Sequence, residues 1–398
     1  MNCLVTHRWL SLSFTPLLAS AALIFFLHNA NPTRLAQAQE AQLRPGQLIS
    51  AGGTSLAPGS YAIPCAADWN GDGRKDLLVG YQTAGRVSLY LNSGTDASPV
   101  FTNYINLQAG GADIVHASSG CGAPAPFVCD YDSDGSQDLL VGEGNYGYVY
   151  FYRNTNSDAA PILAPGMQLM QGSSPLSVSS RATPYLYDWN GDGLNDLLCG
   201  NGNGYVFFFK NIGSQQAPAY AASTLIQAGG TNLNLGIRSV IRMFDWDGDG
   251  VKDFVGSSDT GVYWCRNTGS DGAPLLQARV ALRAPVSGSG LIPISTGPRM
   301  RLHLVDWDND GAIDLLIGNA AGTVSLFNGY RFAITAITRQ PLLEWNSSPY
   351  LYYNILAGPS PGSTTNFLAT RLPSAGNITS WASSAITNQQ FYRIQIVP

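Results

Sequence analysis

The sequence predicts an all-β protein made of five copies of one unit. A thirteen-residue acidic motif recurs at intervals of 62, 58, 57 and 61 residues. Short apolar runs bounded by Gly flank each copy, a strand signature with no helical periodicity. The chain of 398 residues is also poor in charge (12%) with ample apolar content (45%), which rules out a disordered polymer, and its 44 Gly suit tight turns between strands.

The first segment reads as an address. Residues 1–38 carry His7 and Arg8, an apolar run over 10–27, and a polar stretch ending Ala36-Gln37-Ala38. That order predicts a secretory signal peptide cleaved after Ala38, with an uncleaved anchor as the alternative. No later run is apolar enough to span a bilayer, so the mature chain is expected outside the cytoplasm, as a monomer: secreted, at the cell surface or in the periplasm. Its formal charge would be −7, and the only Lys residues are Lys75, Lys210 and Lys252. With no basic run, nucleic acid is excluded as a partner. Five Cys would remain; one disulfide among Cys65, Cys121 and Cys129 is plausible, while Cys199 and Cys265 lie in apolar strands and read as core residues.

The repeats come next. They are DWNGDGRKDLLVG from Asp68, DYDSDGSQDLLVG from Asp130, DWNGDGLNDLLCG from Asp188, DWDGDGVKDFVG from Asp245 and DWDNDGAIDLLIG from Asp306. Oxygens at positions 1, 3 and 5, the position-7 carbonyl and the position-9 Asp can converge on one hard cation, and Gly at position 6 allows the turn that gathers them. The expected calcium ligands are Asp68, Asn70, Asp72, Arg74 (carbonyl) and Asp76; Asp130, Asp132, Asp134, Ser136 (carbonyl) and Asp138; Asp188, Asn190, Asp192, Leu194 (carbonyl) and Asp196; Asp245, Asp247, Asp249, Val251 (carbonyl) and Asp253; and Asp306, Asp308, Asp310, Ala312 (carbonyl) and Asp314. These loops hold 18 of the 26 acids, so about five Ca²⁺ are expected. A helix-loop-helix site is excluded, since position 12 is Val79, Val141, Cys199, Gly256 or Ile317 rather than Glu.

The motif, with its GYVYFYRNTNSDAAPIL-type tail, resembles the FG-GAP/VCBS repeats of integrin-α-like β-propellers, including repeats of exported bacterial proteins. That resemblance covers roughly residues 43–330. It implies a four-stranded blade per unit, with calcium in the first hairpin; in blade one the strands would lie near 61–67, 77–81, 86–92 and 100–108. The last unit lacks a fourth strand, whereas residues 45–53 match the fourth-strand ending of blade one at 104–111. The N-terminal strand is therefore expected to complete the last blade and close a five-bladed ring. A sixth, motif-free blade from the C-terminal segment is the rival. The expected domains are the signal peptide over 1–38, the propeller over 39–330 and a small C-terminal β domain, resembling a fibronectin-type sandwich, over 331–398.

Function is less sharply written. The aromatics at position 2 (Trp69, Tyr131, Trp189, Trp246 and Trp307) are expected to pack between blades, or else to form a sugar-stacking ring. His303 reads as a buried core His, and Glu143 as a solvated acid. No nucleophile elbow, zinc-type His pair or phosphate loop is present, so no catalytic residue and no organic cofactor site is assigned. The leading expectation is a non-catalytic binding or adhesion module for an extracellular glycan or surface protein, with calcium mainly structural. A calcium-dependent polysaccharide lyase or hydrolase is the alternative.

Overall fold

The computed structural model describes residues 10–11, 22–23, 43–56, 59–116, 123–330, 334–337, 342–358, 366–382 and 391–397. The leader falls outside them, apart from a two-residue strand pair, Leu10–Ser11 with Ala22–Leu23. Among the described residues no helix is long and apolar enough to cross a membrane. The chain forms two compact units: residues 46–282 with 293–329, and residues 1–45 with 283–292 and 330–398.

The larger unit is a five-bladed β-propeller. Each motif lies between the innermost and second strands of an antiparallel four-stranded sheet. Blade one runs Ile63–Ala67, Asp76–Tyr81, Arg86–Tyr90 and Ile105–Asn106. Its fourth strand is shorter than the sequence suggests. The innermost strands of the other blades are Ala125–Cys129, Thr183–Tyr187, Val240–Phe244 and Arg301–Val305, and each touches its neighbours around the ring. Blade five is completed by Gln47–Leu48, paired with the strand Val324–Phe327 in the register Gln47 to Leu326. The ring closes at five blades with the N-terminal strand.

The repeated Ala-Gly-Gly segments make small hairpins between blades. At Gly52 and Gly53 φ is 57° and 81°, the left-handed pair that a two-residue turn with the right twist requires. Behind the turn, Ala51, Ala109, Gln171 and Ala228 bridge to Phe101, Leu163, Tyr220 and Leu276. These bridges tie blade five to one, one to two, two to three and three to four.

Glycine at the end of the second strand has a different purpose. A Cβ on Gly80 would lie 1.8 Å from the Pro124 carbonyl oxygen, on Gly142 2.0 Å from that of Ala182, and on Gly318 2.2 Å from that of Ala62. Only glycine lets adjacent inner strands approach that closely. In blade four the motif is one residue shorter, so Ser257 takes this place. Its hydroxyl bonds the Met300 carbonyl at 3.2 Å and accepts from Leu302 N at 3.0 Å.

The aromatics at position 2 are blade fillers. Trp307 packs with Phe101 and Leu77 of blade one, and Trp69 with Leu139 and Leu163 of blade two. Tyr131 packs against blade three, its hydroxyl 3.2 Å from that of Tyr220.

The smaller unit holds two three-stranded sheets. One comprises Ile334–Ile337, Leu342–Asn346 and Ile378–Ala382; the other comprises Asn366–Pro373, Tyr352–Gly358 and Phe391–Val397. Leu343, Trp345, Leu351, Tyr353 and Ile355 form its core. The hairpin segment 283–292 belongs to this unit.

Candidate metal sites

The five acidic loops share one geometry. The position-1 carboxylate accepts from the N–H at position 6 in each: Asp68 from Gly73 at 2.8 Å, Asp130 from Gly135 at 3.1 Å, Asp188 from Gly193 at 2.9 Å, Asp245 from Gly250 at 2.9 Å and Asp306 from Gly311 at 3.1 Å. The position-5 Asp then accepts from the position-7 N–H, as Asp72 does from Arg74 N at 3.0 Å. Every position-6 Gly has φ between 81° and 91°, as the sharp turn demands.

The position-9 Asp clasps the loop to its blade. Asp76, Asp138, Asp196, Asp253 and Asp314 are fully buried, and each spends both oxygens on backbone N–H groups. In blade five Asp314 accepts from Trp307 N and Gly329 N, both at 2.6 Å. The same pair of bonds recurs from Trp69 and Asn92 to Asp76. Burial pushes Asp314 up to about 7 and Asp76, Asp138 and Asp253 up to about 6, and neighbouring carboxylates add to the rise.

Three loops bring carboxylate oxygens of positions 1, 3 and 9 within 4.8 Å of one another: Asp130, Asp132 and Asp138; Asp245, Asp247 and Asp253; Asp306, Asp308 and Asp314. Such groups could hold a metal ion. Asp132 Oδ1 and Asp306 Oδ1 are buried without a hydrogen-bond partner, so the donor set fits a hard cation. Blades one and three carry Asn at position 3; the Asn190 amide donates to Asp196 at 3.0 Å. In blades two, three and four a cation of the chain itself approaches the loop. Arg153 lies 2.7 Å from Asp132, Lys210 3.1 Å from Asp192 and Arg266 2.7 Å from Asp247. The matching residue in blade five is Asn328.

A second acid in the repeat was missed in the sequence. Asp96, Asp158 and Asp271 each accept the N–H of motif position 8 at 2.7 Å, and Gln215 does so in blade three at 3.1 Å. The signal was available: each stands four residues after the repeated Asn (Asn92, Asn154, Asn211, Asn267).

Other candidates resolve differently. Glu143 is not a solvated acid; it is buried, and its carboxylate accepts from Asn145 N at 2.5 Å and Tyr146 N at 2.7 Å, capping its own turn. His303 is buried with Nδ1 3.2 Å from the Arg242 guanidinium, and burial holds it well below its usual range. His116 lies 2.8 Å from the Tyr152 hydroxyl, and burial brings it down to about 4. Cys65 and Cys129 are free thiols, as are Cys199 and Cys265. Cys65 is packed into the seam between blades one and two and Cys129 against the seam between blades two and three, and Cys121 lies outside the described residues. Burial pushes Cys199 and Cys265 up to about 12, away from thiolate chemistry.

The family description FG-GAP-like repeat matches residues 188–255 and 245–317, which are blades three to five from motif to motif. These are FG-GAP-like repeats. The chain is also 32% identical over 165 residues to integrin alpha-4 of Xenopus laevis, an alignment covering 38% of this chain and 15% of that protein. The chain thus spans a small part of that relative. Among solved structures, an Agrocybe aegerita lectin described as recognising non-reducing terminal N-acetylglucosamine aligns at 17% identity, with 83% of this chain and 87% of the lectin covered and a TM-score of 0.35. The BBS1N chain of a complex with ARL6DN aligns at 12% identity, over 74% and 98% of the two chains, with a TM-score of 0.35.

Proposed function

We propose that this chain is an exported, non-catalytic binding module, a propeller held together by calcium that presents its loops to a glycan or surface protein. One observation carries the proposal: five acidic loops of one geometry, two of which, in blades two and five, hold a buried carboxylate oxygen with no hydrogen-bond partner. In each loop the oxygens of positions 1, 3, 5 and 9 and the position-7 carbonyl would hold the ion. The integrin alpha-4 relative supports a binding role over a catalytic one. The signal peptide over 1–38, the propeller over 39–330 and the C-terminal β domain over 331–398 are part of the same proposal.

Calcium would supply positive charge where buried carboxylates crowd. At ~100 times Kd, each independent site adds ~2.7 kcal/mol to folding. The test is a melt of the mature protein in millimolar calcium and in EGTA, followed by a glycan panel scored for retention and soluble product. A fall of many degrees in EGTA, with calcium-dependent retention and no product, is expected. An unchanged melt overturns the calcium role, and soluble product overturns the non-catalytic one.

A further inference from the structure

The opposite face of the propeller carries the other sign of charge. The acidic loops leave the C-terminal ends of the innermost strands, so the residues entering those strands lie on the other face. The position two residues before each innermost strand is Tyr61, Ala123, Arg181, Arg238 or Arg299, and Arg301 begins the innermost strand of blade five. Tyr61 and the four arginines line one narrow cavity of about 20 Å³. Three arginines from three consecutive blades thus surround one opening, with a fourth just inside.

Few anions balance them. Asp259 pairs with Arg238 and lies 3.4 Å from Arg301. Glu143 also neighbours this end, its oxygens accepting from the Asn145 and Tyr146 amides. Among the described residues, even with both acids counted, the mouth holds two more positive charges than negative. Arg299 lies over the Tyr61 ring, 3.9 Å from its centroid, and Arg238 Nε is buried without a hydrogen-bond partner. Burial lowers Arg301 to about 10; Asp259 opposes the fall, while the Arg238 and Arg299 charges add to it.

The backbone adds an independent observation. Tyr61, Arg181, Arg238 and Arg299 all sit in the left-handed region, with φ of 61°, 48°, 64° and 64°. Glycine would occupy that conformation without strain. Three arginines at strained, equivalent positions, around an opening where they repel one another, are a poor arrangement for stability alone.

We propose that this arginine ring is an oxyanion-binding site that takes the carboxylate or sulfate group of an acidic ligand at this opening. Guanidinium groups converging from several blades can offer paired N–H donors to one anionic group. The site names a ligand class for the binding module and rests on that reading for its role, although the two fail separately.

The test uses the mature protein in millimolar calcium, with sodium sulfate and sodium glucuronate each titrated against chloride at fixed ionic strength. Calorimetric binding and the melting temperature are both read. A saturable response to either anion is expected, with glucose inert. Arg299→Gly and Arg181→Gly should weaken it at least tenfold while leaving the anion-free melt within a few degrees. Response to sulfate alone or to glucuronate alone supports the site and identifies the group it takes. A linear, non-saturating rise equal in the variants is general salting and overturns the proposal. So does an equal affinity in the variants, or no response to either anion. Retention on a neutral glycan in that case would leave the binding module standing without an anion site.

Discussion

Gly318→Ala probes the seam where the last blade meets the first. A Cβ at this position would stand 2.2 Å from the Ala62 carbonyl oxygen, 2.8 Å from its carbon and 2.9 Å from Pro64 Cδ. The obstructing atoms are backbone and a proline ring, which cannot swing aside as a flexible side chain would. The φ of Gly318 is not in the left-handed region, so the penalty is steric and not conformational. The inner strands must part by about 1 Å, which places the cost at the upper end of overpacking, about 3 kcal/mol. For a unit of this size that corresponds to a fall of about 6–12 °C in melting temperature. The assay is calorimetry in millimolar calcium beside Gly53→Ala, a site with φ of 81° and nothing within 4 Å of a new Cβ. The control should lose only about 1 kcal/mol, from backbone strain. If Gly318→Ala melted within 2 °C of the parent, or above Gly53→Ala, close approach of the inner strands would not be what the glycine serves.

Three further outcomes are expected. Asn211→Ala removes an amide whose oxygen accepts from Gly213 N at 2.9 Å and Ala219 N at 3.1 Å, and should cost about 2–4 kcal/mol in urea unfolding. Ser257→Ala strips the Met300 and Leu302 bonds and should cost about 1–3 kcal/mol, whereas an exposed serine such as Ser173 should cost almost nothing by the same measurement. His116 is held near 4 in the fold against 6.5 in the free chain, so the unfolded state takes up the proton first. Its contribution is present above pH 6.5 and is lost as pH falls toward 4, by up to about 3 kcal/mol; His116→Gln should lose less stability than the parent between pH 7 and 4.5.

The ring was legible because its determinants are local and repeated. Asp68 through Gly80 and its four copies state turn, strand and spacing in one short string, and the match of residues 45–53 to 104–111 foretold closure. Features held by partners distant in the chain were harder to see. Asp96 caps Lys75 N across a whole hairpin, and its register depends on how the third strand ends. Ser257 looks like the residue after Gly256 until pairing with Val240 shows it in the glycine position. The arginine ring left no basic run, because its members lie about sixty residues apart and meet only when blades close. Glu143 looked solvated because nothing in the sequence shows two following amides turning back onto it.

The strand Gln47–Leu48 also sets a timetable. It is the first piece of the propeller made, yet its partner, Val324–Phe327, arrives about 280 residues later. Through most of synthesis its own edge stays unmatched, and so does the leading face of every newest blade. Each finished blade can rest on the one before, so the growing array behaves as an open arc with two adhesive ends. Joining those ends is the longest-range event in the fold and carries the greatest loop-closure cost, so it should set the slowest folding step. A chain truncated before Val324 would keep both ends open, and two such arcs could satisfy each other where one chain should satisfy itself.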